Sequence, residues 1–320
     1  MDEPGRVIAD KYELVKVAGT GGMATVWRAI QHGPAGFQRP VAVKRVKESY
    51  AHDDKFRGLF VEEARVAAQI THPNVVQIVD FGVEDDRYFL VMEWVEGMSL
   101  SRYVRALSEL SRRPEWPLLA SIAIDVLKGL RSAHERRDDW GNAAPVFHRD
   151  VTPQNILMGE NGVVKLTDFG LAQAADRARM TAPNVIKGKV GYIAPEMAES
   201  RTPTPQTDIY ALGVCLWQAL AGRRLFEGKD DVEVFVSAKK GDVPPLSEVA
   251  PHVPQAFCSI VERALARDPA DRFQSAEQMS RVLARLLRTL PRRVDAVVIA
   301  ASVTAIARFL SHGSVPPPAS

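Results

Sequence analysis

The feature that most constrains the fold is a change in the hydrophobic pattern near Gly97. Before it, short runs rich in β-branched residues alternate with turns and predict five strands, at residues 12–19, 24–30, 41–46, 75–82 and 87–95. One segment with helical spacing, residues 53–69, interrupts them. After Gly97 helical spacing dominates, at residues 100–110, 117–134, 207–221, 232–239, 255–266 and 276–290. The pattern predicts an α+β chain with a small, mostly antiparallel β lobe and one main helix, then a larger helical lobe, with a cleft between them.

These changes of character divide the chain into five predicted segments. Residues 1–11 form an N-terminal extension, 12–97 the β-rich N-lobe, 98–290 the helical C-lobe, 291–312 a C-terminal helical extension and 313–320 a Pro-rich disordered tail. Within residues 294–310, Asp295 and Arg308 bracket only about a dozen uncharged residues, fewer than the ~20 that a membrane-spanning helix needs. This segment is therefore predicted to be a helix that packs on protein, with a partner protein as one option.

Composition argues against several classes of protein. A formal net charge of +2 over 320 residues gives no reason to expect nucleic-acid binding, and the Arg-rich residues 281–293 are interpreted as a solvated helix face. Cys215 and Cys258 lie far apart and form no metal-binding pair, as expected for reduced thiols. The first residues carry no signal-peptide pattern. Together these features predict a cytoplasmic protein without a membrane span.

A glycine-rich turn between the first two predicted strands is the first candidate site. It consists of Gly19, Thr20, Gly21 and Gly22. Glycines allow a tight turn whose backbone N–H groups can approach phosphate oxygens. The turn is informative because Lys44 ends the strand segment 41–44, where it alternates with buried valines. A half-buried lysine needs a carboxylate partner, and Glu63 on the intervening helix is the candidate, with Glu62 as the neighbouring alternative.

A polar turn that leads into an apolar run is the second candidate site. Asp150 is a carboxylate able to accept a hydroxyl proton, and Asn155, five residues later, is a carboxamide able to hold a metal. Asp168 follows Asp150 by eighteen residues, at the end of a predicted strand and before Gly170. A carboxylate in this position suits coordination of a hard cation such as Mg²⁺, which keeps several waters and takes few protein ligands.

Together these stretches resemble a known family. They are GTGGMATV (19–26), VAVK (41–44), HRDVTPQN (148–155), DFG (168–170), APE (194–196) and DIYALG (208–213). In this order they resemble the eukaryotic-like (Hanks-type) protein kinases, and the glycine turn, EAR and HPNVV look most like bacterial serine/threonine kinases. The resemblance covers about residues 12–290. It implies a two-lobed kinase fold, ATP and Mg²⁺ as cofactors, and a protein substrate.

The resemblance implies a role for each matching residue. Asp150 would be the catalytic base, while Asn155 and Asp168 would bind Mg²⁺. Lys44, paired with Glu63, would hold the α- and β-phosphates of ATP. The residues implied to surround the adenine are Val26, Ala42, Met92, Glu93, Val95 and Leu157.

Further residues are implied to support the site rather than to react. Glu196 would be bonded by Arg272 in a structural ion pair of the C-lobe. Asp208 would accept N–H bonds from the catalytic loop and hold it rigid. Phosphorylation of Thr181 is expected to activate the chain, because Arg149 beside the base is a cation with which a phosphate can pair.

Three departures from the family pattern stand out. Ala24 replaces the third glycine of the turn, and residues 136–147 make the joint before the catalytic loop longer than usual. The third departure is paired: Thr152 stands where such kinases carry a lysine, and Lys189 stands where they carry a threonine. The hypothesis is that the cation has moved from the catalytic loop to Lys189. A solvent-facing Lys189 in a weaker enzyme is the competing interpretation.

The motifs lead to an ATP- and Mg²⁺-dependent protein kinase that phosphorylates serine or threonine. Pro153 resembles Ser/Thr catalytic loops more than tyrosine-specific ones. The alternative is a pseudokinase, a nucleotide-binding scaffold without turnover, which is supported only by Thr152 and Lys189. A small-molecule phosphotransferase is a third option, which the long segment from Asp168 to Glu196 disfavours.

Overall fold

The computed structural model describes residues 2–169 and 189–312, apart from the side chains of Asp54, Lys55, Phe56, Leu59, Glu63 and His312. The described residues form two compact units. Residues 2–72 and 76–95 belong to the first, and residues 73–75, 96–169 and 189–312 to the second.

The first unit is built on a six-stranded antiparallel sheet. Its strands are β1 (Val7–Ile8), β2 (Tyr12–Thr20), β3 (Ala24–His32), β4 (Gln38–Val46), β5 (Ile78–Glu84) and β6 (Arg87–Glu93), in the order β1-β2-β3-β4-β6-β5. The helix α1 (Asp54–Ala68) packs against β5. The five predicted strands and the helix are confirmed, although β5 starts at Ile78 rather than at residue 75. The two residues of β1 are too few to show alternation in the sequence.

One face of this sheet carries the core of the first unit. Its buried cluster consists of Ile8, Tyr12, Leu14, Trp27, Ala29, Val41, Val43, Phe89 and Val91. Because side chains alternate along a strand, Ala42 and Lys44 lie on the face opposite to Val41 and Val43. The alternation in β4 therefore gives Lys44 a different environment from that of the valines beside it.

The second unit is mainly helical. Its helices are α2 (Leu100–Glu109), α3 (Trp116–His134), α4 (Pro195–Ala198), α5 (Pro205–Ala221), α6 (Asp231–Lys240), α7 (Leu246–Val249), α8 (Gln255–Ala264), α9 (Ala276–Leu287) and α10 (Ala296–His312). The six helices predicted for this region are confirmed, with ends that shift by at most three residues. The helices α4 and α7 are too short for a helical period to appear in the sequence.

The helix α5 is buried on nearly all sides. It begins with Pro205 in its first turn, where Thr207 Oγ1 accepts the backbone N–H of Thr204 at 3.1 Å, and it ends at Gly222 in the left-handed conformation (φ 67°). Asp208 lies in the first turn of this helix and is fully buried. A carboxylate in such an apolar helix needs hydrogen-bond donors from neighbouring segments.

A three-stranded antiparallel sheet completes the second unit. It consists of β7 (Gly97–Ser99), β8 (Ile156–Gly159) and β9 (Val164–Leu166), in that order. The predicted C-terminal helix is present as α10 and packs on α2, α3, β7 and β8 of its own chain. Within residues 2–169 and 189–312, no helix combines the length and the apolar character that crossing a membrane requires.

Candidate active site

The loop before β8 is fixed by the buried carboxylate of Asp208. The backbone N–H groups of His148 and Arg149 donate to Asp208 at 2.9 and 2.7 Å. Burial alone would raise the pKa of Asp208, but these bonds and one from His134 outweigh it, so that pKa lies below its ordinary value. Arg149 has a positive φ of 63°, which turns the chain sharply just before Asp150. The predicted anchoring role of Asp208 matches this geometry.

Two histidines take part in this anchoring, and sequence reasoning assigned neither a role. His134 Nε2, at the end of α3, lies 2.8 Å from Asp208 Oδ2. His148 Nε2 lies 3.0 Å from Thr167 O, and its Nδ1 accepts the N–H of Asp150 at 3.3 Å. These two bonds fit neutral imidazole, in agreement with a pKa of His148 that burial lowers. In the sequence, His134 is marked only by its place in the last turn of a predicted helix, and His148 only by its place two residues before Asp150. Their partners Asp208 and Thr167 are distant in sequence.

The structure brings Asp150, Asn155 and Lys189 together. Asn155 Nδ2 donates to the backbone oxygen of Asp150 and to its Oδ2, both at 2.9 Å. Lys189 Nζ lies 2.5 Å from the same Oδ2. The Asp150 side chain is mostly buried, whereas that of Lys189 is 41 % exposed. The Lys189 ammonium therefore contacts Asp150 while part of the Lys189 side chain remains exposed.

Thr152, two residues after Asp150, is fully buried. Its hydroxyl oxygen has no hydrogen-bond partner among the described residues. A buried hydroxyl without a partner costs about 1–3 kcal/mol. Thr152 is therefore buried in the interior and forms no hydrogen bond to Asp150.

Asp168 follows β9, on the segment next to Asn155. The N–H of Thr167 donates to the backbone oxygen of Asn155 at 3.0 Å, which holds the two segments side by side. Phe169 is buried, and its ring centroid lies 4.5 Å from that of His148. Asp168 has a positive φ of 61°, a backbone conformation that is uncommon outside glycine.

The donor set of Asn155 and Asp168 fits Mg²⁺. Both hydrogen bonds of the Asn155 side chain use its Nδ2, which leaves Oδ1 as the atom available to a cation. Asp168 adds a carboxylate, so both donors are the hard oxygens that Mg²⁺ prefers. Among the described residues, no group of three or more His, Cys, Asp or Glu side chains could hold a metal. A cation here would thus need oxygens from a nucleotide or water.

The predicted phosphate-binding residues lie in the first unit. The glycine-rich residues 19–22 join β2 to β3, and the N–H of Gly21 donates to Ala24 O at 2.9 Å. Lys44 lies on β4 with only 8 % exposure. Glu62 is exposed and pairs with Arg65 at 3.1 Å, which disfavours it as the partner of Lys44. The side chain of Glu63 lies outside the described side chains.

The predicted adenine contacts are divided between the units. Those in the first unit are Val26 on β3, Ala42 on β4, Met92 and Glu93 on β6, and Val95 beyond it, whereas Leu157 lies on β8 of the second unit. Ala42 and Met92 are buried and are paired across β4 and β6. The N–H of Glu93 donates to Gln77 O at 2.9 Å, so a contact from its backbone to a base would use the carbonyl.

A buried ion pair supports the second unit. Both terminal nitrogens of Arg272 donate to the two carboxylate oxygens of Glu196, at 2.8 and 2.9 Å. Thr207 Oγ1 donates to the same carboxylate at 3.0 Å, and both charged side chains are buried. The pairing predicted from the sequence is present. The contribution of Thr207 was missed because its side chain also serves as a helix cap.

Comparison with known proteins assigns the chain to a family. Residues 12–283 match the family described as the protein kinase domain, and the chain belongs to that family. The crystal structure of the Mycobacterium tuberculosis PknI kinase domain superposes with a TM-score of 0.66 at 24 % identity, over 89 % of this chain and 99 % of that one. That likeness supports the fold.

Curated relatives give a closer comparison. Serine/threonine-protein kinase PrkC of Bacillus subtilis is 37 % identical over 86 % of this chain and 40 % of its own length. Tyrosine-protein kinase MasK of Myxococcus xanthus is 35 % identical over 86 % and 43 %. Serine/threonine-protein kinase PknA of M. tuberculosis is 34 % identical over 85 % and 60 %. The chain thus spans less than two thirds of the length of each of these relatives.

Proposed function

We propose that this chain is an active protein kinase that transfers the γ-phosphoryl group of ATP to serine or threonine hydroxyls of a protein. The observation that carries the proposal is the cluster at Asp150, where an amide and an ammonium both orient one carboxylate. Family membership supports the same reaction. Two of the relatives are named serine/threonine kinases.

Asp150 is proposed to accept the proton of the substrate hydroxyl. The contacts from Asn155 and Lys189 both fall on Oδ2, which leaves Oδ1 to face the hydroxyl. Because Asp150 is held by its backbone N–H as well, its carboxylate is oriented before substrate arrives. A positioned general base of this kind contributes about 10²- to 10⁴-fold in rate.

Lys189 is proposed to supply the cation that related kinases carry at the position of Thr152. A unit charge about 4 Å from a phosphoryl oxygen is worth about 4 kcal/mol at an effective dielectric near 20. Solvent reduces this value, because the Lys189 side chain is 41 % exposed. The short contact with Asp150 supports the proposal, since it places the ammonium beside the base.

Nucleotide and metal are proposed to bind the residues that the family resemblance assigns to them. Asn155 and Asp168 would hold Mg²⁺, which when bound neutralises charge on the phosphate oxygens. Lys44, paired with Glu63, would hold the α- and β-phosphates, and the glycine-rich residues 19–22 would offer backbone N–H groups.

Two alternatives have an observation in their favour. A pseudokinase would be consistent with Thr152 in the catalytic loop and with an ion pair that occupies Asp150. The name of MasK, a tyrosine-protein kinase, suggests tyrosine as an alternative acceptor, although Pro153 favours the serine/threonine assignment. Both alternatives make distinct predictions about the phosphorylated product.

Incorporation of labelled phosphate from ATP into a generic protein substrate separates these functions. We expect transfer by the unaltered chain, loss of at least 100-fold in Asp168→Ala, and label on serine or threonine after hydrolysis of the product. Label on tyrosine would reassign the specificity. Nucleotide binding without any transfer would establish the pseudokinase.

Regulation, partners and location stay predictions. Thr181, the proposed activating phosphorylation site, lies outside the described residues. Among the described residues, Arg149 Nε is buried without a hydrogen-bond partner, which supports a role for an anion near it. A protein partner for α10 and a cytoplasmic location are also proposed, the latter because Cys215 and Cys258 are free thiols.

A further inference from the structure

The C-terminal helix α10 lies beyond the residues that match the family, which end at residue 283. One side of it is buried against the second unit: Ile299 and Val303 are 0 % exposed, and Ile306 is nearly so. Val297, on another side of the same helix, is 75 % exposed. The helix is therefore docked through one face, and the family's common core does not account for it.

The docked face rests on β8, the strand that follows the catalytic loop, and on its neighbour β7. α10 packs on β7 and β8, and also on α2 and α3. Just before the helix, the backbone oxygen of Val294 accepts a hydrogen bond from Ser121 Oγ of α3 at 3.1 Å. The start of α10 is thereby fixed to a helix that runs through the core of the second unit.

The turn between β8 and β9 touches the first residue of α10. Gly162 in this turn has a positive φ of 80°, and a Cβ added to it would lie 1.8 Å from the backbone oxygen of Ala296. Only glycine allows so close an approach of the two backbones. The backbone of the β8–β9 turn therefore lies directly against the backbone of α10, in addition to the packing of α10 on β8.

The same hairpin carries both candidate metal ligands. Asn155 immediately precedes β8, and Asp168 follows β9 by two residues. Ile156 and Leu166 are paired at the open end of the hairpin, so its geometry sets the spacing of the two ligands. Strands of four and three residues have little stability of their own and need packing against another element.

We propose that α10 is a positioning element for this metal site: its docking on β8 and on the β8–β9 turn holds Asn155 and Asp168 at the spacing that a Mg²⁺–nucleotide complex requires. This inference rests on the proposed function, because it assigns the same two ligands. Ile299 and Val303 act through the hairpin and touch no substrate.

The test compares two variants of the full chain that carry the same substitution on different sides of α10. Val303→Asp places a charge in the docked face, whereas Val297→Asp places it in solvent. Hydrogen exchange in residues 156–166 reports the hairpin without any metal. Electron paramagnetic resonance of free Mn²⁺, with a non-hydrolysable ATP analogue present, reports metal affinity without phosphoryl transfer.

We expect Val303→Asp to accelerate exchange in residues 156–166 and to weaken Mn²⁺ binding by about 10-fold, equivalent to about 1.4 kcal/mol. Val297→Asp should match the unaltered chain in both measurements. Equal Mn²⁺ affinity in the two variants, with faster exchange in α10 of Val303→Asp, would overturn the inference. An unaltered chain that binds no Mn²⁺–nucleotide complex would instead refute the proposed function.

A milder variant covers the case in which Val303→Asp prevents folding. Val303→Ala removes two methyl groups from a packed site and should give a smaller change in the same direction in both measurements. Val303→Ile should retain the affinity of the unaltered chain. Unchanged Mn²⁺ affinity in Val303→Ala, despite faster exchange in α10, would count against the positioning role.

Discussion

At the scale of single residues, the buried carboxylate of Asp208 shows that hydrogen-bond donors can keep a buried side chain ionised. It is fully buried, yet its pKa is lowered because His134 and the loop backbone stabilise the ionised form. The same donors fix the backbone just before Asp150. One group therefore links the stability of the second unit to the position of the proposed base.

This linkage predicts a pH dependence for Asp208→Asn. Because the pKa of Asp208 is lower in the folded chain, its ionised form stabilises the fold above the unfolded-state pKa of about 3.9, and this stabilisation is lost as pH falls through the folded-state pKa. At pH 7 we expect the variant to lose about 1–3 kcal/mol in the free energy of unfolding by urea. The difference should shrink below about pH 4. A difference that grows as pH falls would contradict the assignment, and Asp139→Asn on the exposed surface serves as the control.

The exchange of Thr152 and Lys189 makes a second prediction at this scale. Lys189→Thr should lower kcat by about 10- to 1000-fold, equivalent to about 1.4–4 kcal/mol, because the cation beside the base is removed. Thr152→Lys alone should also impair kcat, since it brings a second ammonium to one carboxylate. The double variant should recover much of the activity, because residues that share a site are not additive. Additive losses in the kinetic cycle would show that the two positions are independent.

At the scale of elements, the ion pair of Glu196 and Arg272 ties α4 to the segment before α9. Arg272→Ala should lower the free energy of unfolding by about 3–5 kcal/mol, because it leaves a buried carboxylate without its partner. The matched control is Arg281→Ala, in an exposed pair with Glu277, which should cost at most about 0.5 kcal/mol. Equal losses in thermal or urea unfolding would refute the distinction between the two pairs.

Elements with a sustained period could be predicted from the sequence, because periodicity reports which face is buried. This holds for the strands β2 to β6 and for the helices α1, α2, α3, α5, α6, α8, α9 and α10. Elements of two to four residues, such as β1 and α4, have too few positions to carry a period. The long joint before the catalytic loop, which the sequence marks only by its length, is exposed at its middle, where Trp140 is 85 % exposed.

Candidate site residues could be proposed from the sequence where a motif fixes residue type and spacing together, as for Asp150, Asn155 and Asp168, and their roles stay predictions. The contact of Lys189 with Asp150 could be anticipated only from the paired exchange, because the two residues are 39 positions apart. The contact of His134 with Asp208 spans 74 positions, and the place of His134 in the last turn of a helix does not identify this partner. Within the described part of the chain, the buried hydroxyl of Thr152 lacks a hydrogen-bond partner because of the packing around it. The residues next to Thr152 in the sequence do not indicate this.

At the scale of the whole molecule, the chain divides the proposed roles between its two units. The first carries the glycine-rich turn, Lys44 and most of the adenine contacts, and the second carries the proposed base and metal ligands. Removing a metal ligand of the second unit should therefore weaken both nucleotide binding and transfer, whereas removing the base should lower transfer while the nucleotide still binds.

The measurement that tests this account most directly compares kcat with nucleotide affinity in Asp150→Asn. We predict that kcat for phosphorylation of a protein falls by about 10²- to 10⁴-fold, while the Kd for Mg²⁺–ATP stays within about threefold. Asp139→Asn should leave both values unchanged. A chain whose kcat is the same with Asn at position 150, or whose unaltered form binds Mg²⁺–ATP but transfers nothing, would contradict the account.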